Sequence, residues 1–417
     1  MATNKISILP LLTVSFISTL GFGIVLPSLV YLVKTFHGGN FVYGVLGASY
    51  STFQLVGAPL LGRLSDRFGR KRLLFLSVLG SAIGWALFLV ALKLPLSLLG
   101  EFTTGVTGAV VITLPMLCLF LARSIDGLTA GDVSVANAYV ADVTTHEERK
   151  AIFGRMGVAG NLGFILGPVL AGVLADTSMG LSLPIGVALA TSVLGLILIT
   201  FFLPESHPKS PSLVASPEAK DAKRITFFKA LALEGIPLLM LIYFVFFIAF
   251  SLFVASVPLF ATQVLGWSVT QLGLFFSFLS VVIVLTEGPI LTLASKRFSA
   301  ESLTIWGCFI VAGGYLSLTT ASFFGAYLGA ALYALGNGLM WPSFLSLLSD
   351  RAGEENQGYI QGIGTSVGSL ASIAGLFAGG IIYTQLHGGI FFVTAGLVAA
   401  VGFLSLKLRT AATARQE

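Results

Sequence analysis

The chain is poor in charge, cysteine and histidine. Only 10% of its 417 residues are charged, and it holds two cysteines and four histidines. Cys118 and Cys308 both fall inside apolar runs, which excludes a disulfide framework and a thiolate metal cage; they read as small buried hydrophobes. His37, His146, His207 and His387 lie in or near loops, with no metal-ligating spacing. No G-x-x-x-x-G-K-[S/T] loop is present to cradle the phosphates of ATP. No nucleophile cluster of an enzyme is legible, and no cofactor is expected. So little charge also excludes a soluble domain of this length. Ten-residue segments of alternating polarity are missing, which excludes a membrane β-barrel.

What is present is hydrophobic. Apolar residues make up 56% of the chain and the mean hydropathy is +0.95. Runs long enough to cross a hydrocarbon core of ~30 Å as helices recur throughout. They predict an all-α polytopic membrane protein with spans near 8–33, 42–61, 73–92, 114–140, 153–174 and 183–203, then 236–262, 272–294, 303–322, 325–348, 359–383 and 390–408. The first run is too long for a signal-peptide core and is expected to remain as a span. Between the two sets, 204–235 is rich in Pro, Ser, Ala and Lys and predicts a solvated linker. The expected domains are therefore 1–203, a linker at 204–235, and 236–417.

The basic residues are distributed unevenly. With both termini placed inside, 20 of the 23 Lys and Arg fall on the inner side, so the expected location is the cell (inner) membrane with cytoplasmic termini. The net charge of +5 is then a topology signal, and no nucleic-acid partner is expected. The halves also repeat. Residues 59–73 align with 289–303, and 142–172 align with 350–380. The change in offset assigns the first half an insertion at 93–113, expected to form an outer loop or a short surface helix.

Five groups of residues stand out. The loop 62–73, GRLSDRFGRKRL, combines Gly62, Asp66, Arg67, Gly69, Arg70 and Lys71. An inside marker needs no acid and no glycine, so this pattern points beyond topology to a specific latch. Arg123 and Asp126, at i and i+3 near mid-membrane, share a helix face and can pair. Asp132 follows six residues later, roughly 240° round an unbroken helix from Asp126, and reads equally as gate, packing or proton site. Glu287, beside Gly288 and Pro289, is the one acid inside a second-half span and has no adjacent cation, the pattern of a group that takes up and releases a proton. Gly163, Gly167, Pro168 and Gly172 form a small-residue sector suited to close helix packing. Tyr243, Phe244, Phe246, Phe247 and Phe250 face either lipid or a cavity.

Two six-helix repeats with the G-x-L-x-D-R-x-G-R-K loop resemble the major facilitator superfamily over essentially the whole chain. R-x-x-D-G at Arg123, Asp126 and Gly127 is similar to a signature of its drug:proton antiporters. G-x-x-x-G-P-x-x-A-G from Gly163 to Gly172 looks like the motif of its twelve-helix exporters, and VANAYVADVT points to the tetracycline-efflux-like branch. The resemblance implies two pseudo-symmetric bundles. It also implies a latch in which Asp66 faces the eleventh helix and Arg70 pairs with Asp142. Tetracycline exporters carry aspartates where this chain has Ser18 and Gly84, a departure that puts that cargo in question. The expected function is proton-coupled export of a small amphipathic or apolar compound by a monomer in the lipid bilayer, with protons as the coupling ion. Arg123, Asp126, Asp132 and Glu287 are the candidate coupling residues. An uptake symporter and an uncoupled facilitator remain as alternatives.

Overall fold

The structure, a computed structural model, describes residues 9–206, 233, 235–353 and 356–413. Most of the expected 204–235 linker, with His207, lies outside the described residues. The helices are α1 (Leu9–Thr35), α2 (Asn40–Phe68), α3 (Arg70–Ala91), α4 (Leu114–Leu128), α5 (Asp132–Val143), α6 (His146–Ala175) and α7 (Ser182–Phe202). The second half contributes α8 (Ile236–Gln263), α9 (Val269–Leu285), α10 (Leu291–Ala294), α11 (Ala300–Leu318), α12 (Phe323–Ala352), α13 (Gln357–Leu386) and α14 (Ile390–Thr413). The protein is thus an all-α polytopic membrane protein. Among the described residues ten stretches are long and apolar enough to cross a membrane. The last, Tyr359–Leu408, takes in both α13 and most of α14, which are joined by the 3₁₀ turn His387–Gly389. The polar helix α2 is not among the ten.

Packing divides the chain into two units. The first gathers Met1–Pro208, Ala255–Ser280 and Leu376–His387; the second gathers Lys209–Val254, Val281–Gly375 and Gly388–Glu417. In the first, Leu11, Val14, Leu61, Leu74, Val135, Tyr139 and Ile199 form a buried cluster under the 62–73 loop. In the second, Tyr243 stacks on Phe247 at 5.0 Å and meets Trp341 edge-on at 5.2 Å. Phe250 stacks on Tyr333 at 6.5 Å. Most of the aromatic run on α8 is therefore internal, and Phe244 is its exposed member.

Several elements differ from the sequence expectation, each for a local reason. Residues 98–113 form neither an irregular loop nor a helix. They are an antiparallel hairpin of β1 (Leu98–Thr104) and β2 (Gly108–Thr113). Val110, Val111, Ile112 and the flanking threonines favour extended backbone, and Gly108 adopts φ +68° to close the turn. The expected fourth span is broken at 129–131 into α4 and α5. Thr129 turns its hydroxyl back onto the carbonyls of Ile125 (2.8 Å) and Asp126 (3.2 Å), and Gly131 follows. The eighth span contains a π-helical turn, Thr286–Ile290, where Pro289 supplies no N–H to the regular ladder.

Candidate functional site

The break between α4 and α5 borders a cavity inside the first unit. Its walls include Ser18, Phe22, Tyr50, Ser77, Ser81, Trp85, Arg123, Asp126, Ala130 and Asp132. Arg123 leaves α4 two turns before the break. It is 5% exposed, and its Nη1 lies 3.7 Å from Asp126 Oδ2. Its guanidinium carbon sits 4.4 Å from the centre of the Tyr50 ring, a cation–π geometry. Asp126 also accepts a hydrogen bond from Ser81 Oγ at 2.7 Å. A carboxylate this deep is tolerable because a cation and a hydroxyl share its charge.

Asp132 opens α5 and so stands at a helix N-terminus, where the peptide dipoles favour an anion. Its carboxylate accepts a hydrogen bond from Ser18 of α1. On an unbroken helix Asp132 would point away from Asp126; the break turns both into one cavity. Interrupted helices supply polar groups and free backbone ends to membrane-embedded sites. Ser18 and Gly84 both fall beside these acids. Ser18 bonds Asp132, and a Cβ on Gly84 would lie 3.4 Å from Asp126 Cβ. Both carboxylates of this cavity therefore stand on the broken fourth span.

Glu287 is not part of this cavity. It lies in the second unit, half-buried in the π-turn, and among the described residues it makes no hydrogen bond or ion pair. The Gly163–Gly172 motif lies on α6 against α1. A Cβ on Gly167 would come within 2.6 Å of the Leu20 carbonyl, while Gly163 backs onto Phe16 and Thr19 and Gly172 onto Thr270. Gly157 faces open space instead.

The expected 62–73 loop is helical but for one residue: 62–68 complete α2, 70–73 begin α3, and Gly69 joins them at φ +100°, a conformation that L side chains rarely adopt. Arg70 is the hub. It pairs with Asp66 at 2.6 Å and with Asp142 at 3.0 Å, and its Nη1 donates to Ser65 Oγ at 2.5 Å. Lys71 Nζ donates to the Thr200 carbonyl at 2.7 Å. Arg67 stacks loosely over Phe68 at 5.4 Å. Gly62 accepts from Ser65 Oγ at 2.6 Å. Sequence reasoning did not find Glu205, whose carboxylate accepts from the Lys71 N–H at 3.3 Å. Asp66 is 65% exposed, so its removal costs the fold little. We expect Asp66→Asn to leave membrane levels unchanged and to slow turnover up to about 5-fold, the upper worth of an exposed ion pair at about 1 kcal/mol. Initial transport rates normalised to protein in the membrane check this; unchanged turnover would argue against a latch.

Comparison with known proteins follows the same lines. A family description of the Major Facilitator Superfamily matches residues 11–376. The chain belongs to this superfamily. It is 29% identical over 383 residues to the tetracycline resistance protein, class C, of Escherichia coli, covering 90% of this chain and 89% of that one. It is 26% identical over 397 residues to multidrug resistance protein 2 of Bacillus subtilis (strain 168), covering 94% and 92%. Among solved structures, the D-xylose–proton symporter superposes with a TM-score of 0.75 at 18% identity, over 95% of this chain and 96% of that one. The superfamily comprises transporters of small molecules, and this transporter carries its buried Arg123–Asp126 pair and Asp132 around one cavity.

Proposed function

We propose that this transporter exports a small amphipathic or apolar compound in exchange for protons. The carrying observation is the broken fourth span, which turns Asp126 and Asp132 into one cavity with a single buried cation, Arg123. Proton and cargo compete for these carboxylates. A loaded proton neutralises the acid, and arriving cargo displaces it. Phe22, Tyr50 and Trp85 give the cavity an aromatic wall suited to a flat apolar body. Similarity to tetracycline and multidrug resistance proteins supports export, and the Gly163–Gly172 motif supports it further.

In this reading the halves 1–203 and 236–417 form two six-helix bundles of a twelve-span monomer. Their movement exposes the cavity alternately to each side. The basic loops face the cytoplasm of the cell (inner) membrane, and Asp66, Arg70 and Asp142 latch that side. Glu287 serves as a second proton-carrying group in its own half, set in a π-turn whose backbone is already irregular.

The test is uptake into proteoliposomes over a panel of compounds that includes tetracycline. An acidic interior should drive accumulation of the cargo as protons leave, and nigericin should abolish it. Accumulation driven by an acidic exterior would identify a symporter. Flux indifferent to the pH gradient would identify a facilitator.

A further inference from the structure

The β1–β2 hairpin is tied to a segment 280 residues away in sequence. Gln385, in the last turn of α13, donates through Nε2 to the carbonyls of Gly105 (2.8 Å) and Val106 (3.0 Å) at the hairpin tip. Next to it, Asn40 at the start of α2 donates to Thr384 Oγ1 at 3.4 Å and accepts from Gln263 Nε2 at 2.7 Å. A Cβ on Gly108 would touch Thr384 Cγ2 at 3.3 Å, and one on Gly39 would lie 2.6 Å from the Ala109 carbonyl. Below this layer the same ends pack closely. Phe41 meets Phe377 edge-on at 5.5 Å, and a Cβ on Gly44 would lie 3.2 Å from Gly380 Cα. The equivalent connection in the second half, between α11 and α12, is only four residues long, Thr319 to Ser322. Nothing in the repeated architecture demands a hairpin, so the first-half insertion is an addition.

We propose that the hairpin is a releasable strap, with Gln385 as its positioning residue. Bound, it holds the end of α13 against the start of α2 and keeps this end of the transporter shut; released, it lets that end open to admit or discharge cargo. The strap rests on the alternating-access reading but does not depend on which ion drives it. Its fastening suits reversible work. Two neutral hydrogen bonds to backbone carbonyls are strong enough to bias an equilibrium and weak enough to break in each cycle.

The test uses a variant with Cys118 and Cys308 replaced by Ala and a reporter Ala130→Cys in the cavity wall. A membrane-impermeant maleimide, applied from the hairpin side, reads how often that end opens, with no need for cargo or transport. Gln385→Ala should raise the labelling rate about 5- to 30-fold. In a second variant lacking the reporter, Val106→Cys and Gln385→Cys are joined by a short bis-maleimide and flux is measured. Linking should abolish at least about 90% of the flux. A matched link inside the hairpin, between the cross-strand partners Glu101→Cys and Val111→Cys, should leave it intact. Unchanged labelling in Gln385→Ala, or equal flux with and without the Val106–Gln385 link, would overturn the strap. Loss of flux from the intra-hairpin link would overturn it as well, since only rigidity would then matter. Failure of export itself would show as absence of flux in every variant while the labelling result still stands.

Discussion

Asp126→Asn should reach the membrane and bind cargo, yet lose about 100-fold in flux driven by a pH gradient, the scale on which a positioned proton-transfer group contributes. The amide keeps an oxygen for the 2.7 Å bond from Ser81, so the local geometry survives while the ionisable group is lost. The cost falls on Arg123, which is buried and would then lack its carboxylate. Removing one partner of a buried pair costs about 3–5 kcal/mol. Arg123→Gln/Asp126→Asn should therefore recover thermal stability relative to Asp126→Asn alone without recovering coupling. Asp132→Asn separates the two acids. Its amide oxygen still accepts from Ser18, so α1 stays tied to α5 and any loss of coupled flux reports on the proton. Equal coupled flux in both single variants and wild type would remove the cavity acids from the coupling mechanism.

Gly167→Val should be nearly as damaging, for a reason unrelated to charge. The added Cβ would lie 2.6 Å from the Leu20 carbonyl and 2.8 Å from Gly23 Cα, both backbone atoms that a side-chain rotation cannot move. Helices α1 and α6 would have to separate along the seam beside Ser18 and the cavity. Overpacking of this kind costs about 1–3 kcal/mol, and close helix contact is what small residues provide where no hydrophobic effect drives association. We expect a fall in melting temperature by fluorescence-detected size exclusion and loss of most transport. Gly157→Val is the control, since a Cβ there meets nothing within 4 Å. Equal tolerance of both substitutions would show that the α1–α6 approach is not required.

The sequence carried the class of fold because hydropathy and charge asymmetry are strong, cumulative signals. Arg123 and Asp126 were legible as a pair because i and i+3 on one helix share a face whatever surrounds them. The convergence of Asp132 on the same cavity was not. It depends on a backbone break whose only local sign is Thr129-Ala130-Gly131, a weak helix stop inside an apolar run. The hairpin was missed because its one charge and scattered glycines read as loop, although Val110-Val111-Ile112 carried β-propensity in plain view. The Arg70–Asp142 pair came from resemblance to the superfamily, since nothing in the spacing of residues 72 positions apart requires it. The contact of Glu205 with Lys71 was unforeseen for the same reason: the two are remote in sequence.

The most direct measurement of the central claim is the proton count on cargo binding. Purified protein is held in weak buffer with a pH-sensitive dye, near the pH at which half the coupled activity remains, and cargo is added. Competition between cargo and proton for Asp126 and Asp132 predicts acidification of the medium, reduced in each single Asn variant and absent in Asp126→Asn/Asp132→Asn. Proton uptake on binding, or a full release in the double variant, would contradict exchange at this cavity.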